Sequence, residues 1–307
     1  MNQLTIRNMH PDDLLPLFIL AREALLFDTF KPALLAEKLL EKRRPDEFDW
    51  QVYVAEQDNR ILGFMQSVAR PAAGKAWVGL FAVTAAHRRR GIAARLLEPA
   101  RAQWPASTTE VEVLAIPGNY FSPGLDPRNT AALCFLERRG FERFSDCVNL
   151  ITALSQHFDT SAEQQRLAAV GIEVRRATGN DEVLLDDFFA RHFGADWRFE
   201  VSLAMHNDPP GLHLALRDGR IIAFSAHSSQ NREWGFFGPM GTDPAERGHG
   251  LGRVLLWHCL NDMRAAGHPT AVIPWVGPIA FYQQWAGSYV NRVFWRYRLC
   301  LHPQPEK

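Results

Sequence analysis

The sequence predicts two consecutive domains, each built on a mixed α/β sheet, and three observations lead there. The chain has 307 residues and a mass of 34.8 kDa, about twice the commonest domain size. It repeats itself: Arg88, Gly91, Ala93, Leu96 and Leu97 return 159 positions later as Arg247, Gly250, Gly252, Leu255 and Leu256. In both copies the hydrophobic period reads strand, helix, hairpin, strand, helix, strand, helix, strand, an order that a mixed sheet flanked by helices satisfies.

Each element has a local reason. Residues 3–7 and 172–176 read as short opening strands, Leu4-Thr5-Ile6-Arg7 resembling Ile172-Glu173-Val174-Arg175, and Leu14, Leu15, Leu17 and Phe18 follow at helical spacing. A hairpin comes next: Val52, Val54, Ile61 and Gly63 flank Asp58-Asn59, while Leu212, Leu214, Leu216 and Ile221 flank Asp218-Gly219, pairs favoured where the backbone turns through positive φ. A third strand (Ala76–Val83; Trp234–Thr242) runs into a glycine-bearing turn and a helix, and further strands are expected at Val111–Ile116 and Thr270–Pro274. The polar stretch between the copies reads as a linker, which sets the domains at 1–155 and 169–307 with the linker at 156–168. About thirteen extra residues in the first half, around Gly118 to Arg128, lengthen the link to its last helix. Such a loop can cover the cleft of its own domain, wall the pocket of the other, or be a surface turn held by Pro123 and Pro127.

Composition excludes several classes of function. Thirty-four basic residues balance 34 acidic ones, which removes the electrostatic basis for non-specific binding to nucleic acid or an anionic membrane. Cys134, Cys147, Cys259 and Cys300 lie far apart with no C-x-x-C pair, fit neither a disulfide framework nor a thiolate metal site, and are expected to be small buried residues. No metal-ligand cluster is apparent, and none is expected. Met1 to Asp13 does not read as a signal peptide, and no apolar run approaches a membrane span, so a cytoplasmic protein is expected, monomeric or homodimeric.

The chemistry begins at the glycine turns. Arg88-Arg89-Arg90-Gly91-Ile92-Ala93 and Arg247-Gly248-His249-Gly250-Leu251-Gly252 each leave a strand and open an amphipathic helix. The apolar face is Ala93, Leu96, Leu97, Ala100 and Trp104 in one copy and Gly252, Leu255, Leu256, Cys259 and Met263 in the other. Glycines at such a turn let unpaired amides at a helix amino end point outward, where the macrodipole attracts a phosphate.

Both halves resemble the GNAT superfamily of acyl-CoA-dependent N-acyltransferases, whose pyrophosphate-loop motif these two segments match; the resemblance runs over nearly the whole chain. It implies two tandem GNAT-like domains, each a mixed, mostly antiparallel, splayed sheet. It implies too that amides at Arg89 to Ala93 and Gly248 to Gly252 hold the pyrophosphate of coenzyme A, with acetyl-CoA as acyl donor and the pantetheine received near Val83 and Thr242. The family's later helix reads N-x-x-A-x-x-x-Y followed by a glycine. Asn129 and Ala132 fit in the first half, but Leu136 stands at the tyrosine position; in the second, Tyr282 fits while Trp275 replaces the Asn and Ala286 the glycine.

A phenol stays protonated at neutral pH and can protonate a departing thiolate, whereas leucine donates nothing. The expected function is therefore acyl transfer from acetyl-CoA to a primary amine of a small molecule. The carboxy-terminal half is expected to carry the chemistry, with Tyr282 as general acid, amides near Thr242 polarising the acyl carbonyl, and Glu233 as a candidate base beside His227 and the weaker Asp243. A non-catalytic acyl-CoA binder or scaffold is the competing class, and acetylation of a cysteinyl amine in low-molecular-weight thiol synthesis is a variant of the first.

Overall fold

The structure, a computed structural model, describes residues 3–301; the outer ends of the expected domains, residues 1–2 and 302–307, lie outside that range. Contacts divide the chain into two compact units, one of Met1–Cys147 with Val293–Lys307 and the other of Val148–Arg292.

In chain order the elements are β1 (Thr5–Asn8), α1 (Leu14–Ala24), α2 (Pro32–Leu39), β2 (Asp49–Gln57), β3 (Arg60–Arg70), β4 (Lys75–Val83), α3 (Ile92–Gln103), β5 (Glu110–Val113), α4 (Thr130–Arg138) and β6 (Glu142–Ala153). They continue as α5 (Ser161–Ala168), β7 (Ile172–Arg176), α6 (Glu182–His192), α7 (Gly194–Met205), β8 (Leu212–Arg217), β9 (Arg220–His227), β10 (Phe237–Thr242), α8 (Leu251–Ala265), β11 (Thr270–Ile273), α9 (Ile279–Ala286) and β12 (Tyr289–Cys300).

The first unit's sheet runs β1-β2-β3-β4-β5-β12, and only β4 and β5 pair in parallel. The second unit repeats the meander as β7-β8-β9-β10, antiparallel throughout, with β11 bridged in parallel at Val272 to Phe236, the residue just before β10. Both hairpins turn as their sequences require: Asp58 and Asn59 have φ of 49° and 58°, Asp218 and Gly219 of 50° and 73°. The helices after the glycine turns bury their expected faces, Leu96, Leu97 and Ala100 in α3 and Leu255, Leu256, Cys259 and Met263 in α8. In the second unit, α6 and α7 cover the other face of the meander through Phe188, Phe189, Val201 and Ala204, packed on Leu214 and Phe224.

The terminal strands depart from the expected plan. β6 leaves the first unit after Cys147, and its residues Leu150–Ala153 pair with β11. β12 crosses in the opposite sense, and Arg298–Cys300 pair antiparallel with β5. Side-chain charge fits this register: Arg296 pairs with Glu112, Arg298 with Glu110 at 3.3 Å, and Lys75 with Glu110 at 2.9 Å. Partly exposed pairs of this kind contribute about 0.5 kcal/mol each, whereas Phe294 and Tyr297, each 1% exposed, contribute about 2 kcal/mol apiece by burial. The charges therefore select the register and the aromatic side chains hold the strand. The boundaries 1–155 and 169–307 differ from this division because each half ends in a strand that completes the other unit.

The expected linker differs as well. Its residues Ser161–Ala168 form α5, whose Leu167 is fully buried with Ile172, Ala215 and Leu255. Of the cysteines, Cys147 and Cys259 are buried as expected, but Cys134 and Cys300 are exposed, Cys134 within α4 and Cys300 at the end of β12.

A polypeptide ending at residue 155 would leave β5 without its β12 neighbour. By far-UV circular dichroism it is expected to show no cooperative melt, while residues 3–147 joined through a Gly/Ser linker to 293–301 regain one.

Candidate active site

In both units the geometry that matters begins where two parallel neighbours part. β4 pairs with β5 only over Lys75–Val78, and β11 is bridged in parallel at Phe236, the residue just before β10. The Asp243 amide donates to the Ile222 carbonyl at 2.9 Å, so antiparallel alternation directs the amides of Gly241 and Asp243 to β9 and those of Met240 and Thr242 to the open edge. Likewise Thr84 donates to Leu62, which turns the amides of Phe81 and Val83 outward. Each open edge ends at the glycine turn. Arg89 and Gly91 have φ of 63° and 79°, Gly248 and Gly250 of 93° and 77°, the same two positions of the repeat. The first intrahelical bonds accept at Gly91 and Gly250, from Arg95 and Val254, so the amides at Gly91–Ala93 and Gly250–Gly252 have no partner within their helices. Arg90 and Arg247 are exposed there, while Arg88 folds back to donate to the Val83 carbonyl at 3.2 Å.

Away from the turns the units diverge. In the first, the register of β3 and β4 shifts between Met65 and Ser67, and there the Gln66 carboxamide accepts from the Leu80 amide at 3.2 Å and donates to the Lys38 carbonyl at 2.6 Å. A methyl group at Gly79 would lie 2.2 Å from Gln66 Oε1 and 2.9 Å from Ile116, so this face of β4 is already filled. The inserted segment resolves in favour of its own unit. Residues 118–126 are all buried, Asn119 accepting from Lys38 at 3.2 Å, Phe121 packing edge-on to Phe30, and Leu125 exchanging two backbone bonds with Trp295. Lys38 is 1% exposed; burial brings its ammonium down to about 8, held charged by Glu37 at 2.8 Å. Leu136 is fully buried, and Asn129 sits at the amino end of α4 with no side-chain cap.

The second unit keeps a phenol. Gly252 in the first turn of α8 lets Phe281 approach, a Cβ there lying 3.3 Å from the ring, and this close packing seats α9 and Tyr282 against the α8 face. Tyr282 is 8% exposed, edge-on to Phe281 and Phe237, and desolvation raises its pKa well above the usual phenol value. Gly287 closes α9 at φ 61°, one residue beyond Ala286, which stands where the family's pattern has glycine. On the opposite face of β10, the Phe193 ring presses on Gly241, where a Cβ would meet it at 2.4 Å, and stacks on Trp197. His192 lies 3.4 Å from Asp243, whose carboxylate also accepts from the Ala245 amide.

Thr242, Arg247, Gly248, His249, Gly250, Leu251 and Gly252 thus gather at one end of β10. Glu233 does not join them. It lies in a 3-10 turn, Arg232–Trp234, before the strand rather than at its start, because Asn231 and Gly235 take left-handed conformations on either side. His227 is turned into a buried cluster in which the Asp262 carboxylate receives His213 at 2.7 Å, His227 at 3.3 Å and Arg176 at 2.7 Å, and His213 stacks on His258. Sequence reasoning missed this cluster, His192, and the arginines of α5 and α8 beside the turn, because each meets its partners only through the fold.

The chain thus consists of two splayed α/β units, each with amides turned outward along a strand edge and at the following helix start. The profile described as "Acetyltransferase (GNAT) domain" matches residues 49–143, and that described as "Acetyltransferase (GNAT) family" matches residues 180–287. The chain belongs to the GNAT acetyltransferases and carries two such domains in tandem. A curated relative, mycothiol acetyltransferase of Thermomonospora curvata, is 41% identical over 66 residues, 22% of either chain. Among solved structures, a GCN5-related N-acetyltransferase from Sphaerobacter thermophilus aligns at TM-score 0.72 and 17% identity over 100% of this chain and 98% of that one. A tandem GNAT protein from the clavulanic acid biosynthesis pathway aligns at 0.71 and 16%, over 98% and 100%. A glucosamine N-acetyltransferase region of a fungal multi-domain β-N-acetylglucosaminidase aligns at 0.81 and 16% over 97% of this chain, which spans 38% of that protein. Among the described residues no helix is long and apolar enough to cross a membrane, and no group of three or more His, Cys, Asp or Glu is arranged to hold a metal ion.

Burial, with the His213 ring alongside, lowers the His258 pKa from 6.5 to about 4. The unfolded chain then binds the proton that the folded chain refuses, so stability is full above pH 6.5 and is lost as pH falls toward 4. In urea titrations the midpoint is expected to drop between pH 7 and pH 5, and His258→Phe is expected to drop less.

Proposed function

We propose that the protein transfers an acetyl group from acetyl-CoA to a primary amine of a small molecule, and that the second unit performs the chemistry. The observation that carries this reading is the asymmetry of the two units: Tyr282 stands on α9 with its ring edge-on to Phe237 of β10, whereas the first unit has Leu136 and fills its β4 face with Gln66 and Ile116. The residues present suit a coenzyme A thioester, since an anion-attracting turn lies at the end of an edge whose amides are unpaired. The donor supplies an electrophilic acyl carbon and a thiolate leaving group.

The chain's own groups do the rest. The outward amides of Met240 and Thr242 donate to the pantetheine and to the acyl oxygen as charge develops on it. The amine nitrogen forms a bond to the acyl carbon, the C–S bond breaks, and the Tyr282 phenol gives its proton to the sulfur. Its raised pKa keeps that proton in place across the neutral range. The amine enters as the free base and its remaining proton passes to solvent, since Glu233 stands in the turn before β10, away from the residues at its other end.

A panel of a diamine, an amino sugar and a cysteinyl amine samples the acceptor, the last because of the similarity to mycothiol acetyltransferase over part of the chain. Tyr282→Phe is expected to lower kcat about 100-fold or more with unchanged affinity for coenzyme A. Thiol release measured across pH tests it: a wild-type rate in the variant overturns the role of Tyr282, and tight binding with no turnover of any amine by the wild type favours a binder instead.

A further inference from the structure

The segment that the sequence presents as a linker carries charge onto the second glycine turn. α5 places Arg166 so that its guanidinium donates to the His249 carbonyl at 2.5 Å, and the same nitrogen lies 3.2 Å from where a Cβ on Gly250 would sit. Glu163, one turn earlier on α5, accepts from Arg166 and pairs with Arg253 in the first turn of α8. One carboxylate is thus shared by two arginines, and its Oε2 is 4.0 Å from that same Gly250 position.

The two arginines are not equally placed. Arg253 is 20% exposed, lies 4.2 Å over the Trp285 ring and 5.3 Å over Trp257, and has a buried Nε with no hydrogen-bond partner among the described residues. It is held by two indoles. Arg166 is 46% exposed and, among the described residues, is held by Glu163 and the His249 carbonyl, so it can turn toward an anion at the amides of Gly248–Gly252. Two guanidiniums against one carboxylate leave a net positive charge at a helix amino end, and Glu163 occupies with a carboxylate the place beside the turn that an incoming anion would contest.

We infer that α5 is a working part of the donor site: Arg166 clamps the diphosphate of coenzyme A against residues 248–252, and Glu163 is the internal anion that the diphosphate displaces. This rests on the reading of that turn as the diphosphate cradle. It extends the site to a segment outside the repeated motif, and it makes the second turn different in kind from the first, where the Arg88 guanidinium is spent on the Val83 carbonyl.

Calorimetric titration of coenzyme A and of 3′-dephospho-coenzyme A into the full chain tests it, with melting curves confirming that each variant is folded. Arg166→Gln is expected to weaken both ligands about tenfold, Arg166→Lys to restore part of the loss, and Glu163→Gln to tighten both several-fold by removing the competing carboxylate. Unchanged affinity in the Arg166→Gln and Glu163→Gln variants overturns the clamp while leaving the cradle standing. A loss confined to coenzyme A, absent with the dephospho form, overturns the diphosphate assignment by moving the contact to the 3′-phosphate. Failure of the wild type to bind either ligand at millimolar concentration overturns the cradle itself.

Discussion

The structure turns on backbone donors that the sheet declines to pair. A buried or half-buried amide without a partner is costly, so strands that part company must either find another acceptor or stay open to a ligand. Here β4 leaves β5 after Val78 and the chain leaves β11 after Phe236, as β10 begins, and in each case the released edge runs straight into a turn with two left-handed residues. Strand edge and helix start together form one continuous row of donors. Loop composition is subordinate to that geometry: arginine stands at position 89 where glycine stands at 248, yet both take positive φ.

The two copies share this row and differ in what surrounds it. In the first, Gln66 supplies an internal acceptor at the register shift, and the buried segment 118–126 closes over α2 and β12. In the second, Pro239 occupies the corresponding register shift and has no amide to satisfy, so nothing need fill the strand face from within. Proline relieves with one residue what the first copy relieves with a side-chain network reaching Lys38 and Asn119.

Much of this was legible in the residues. The hairpin dipeptides, the faces of α3 and α8 and the two glycine turns depend on local chemistry and spacing, and they formed where that chemistry placed them. What escaped depends on contacts distant in sequence. Opposite charges two apart, Glu110 and Glu112 against Arg296 and Arg298, mark the partner of β12, but an i, i+2 charge pair on a strand does not say which strand it meets. α5 reads as a linker because its polar residues are those of a solvated segment; only the burial of Leu167 and the reach of Arg166 distinguish it. Glu233 read as a strand residue because Trp234 and Phe236 continue an apolar run, and the left-handed Asn231 and Gly235 that interrupt it are a matter of backbone geometry.

The first turn therefore poses a physical question of its own. A non-glycine residue held at φ 63° costs about 1–2 kcal/mol relative to relaxed backbone. Arg89 bears that cost although its unit has no phenol at position 136 and a filled face at Gly79. The conformation is fixed by the start of α3 at the left-handed Gly91 and by the return of the Arg88 guanidinium to the Val83 carbonyl. The shape of the turn and the surroundings of the strand that leads into it are then separable features of the chain: the first recurs in both copies and the second does not.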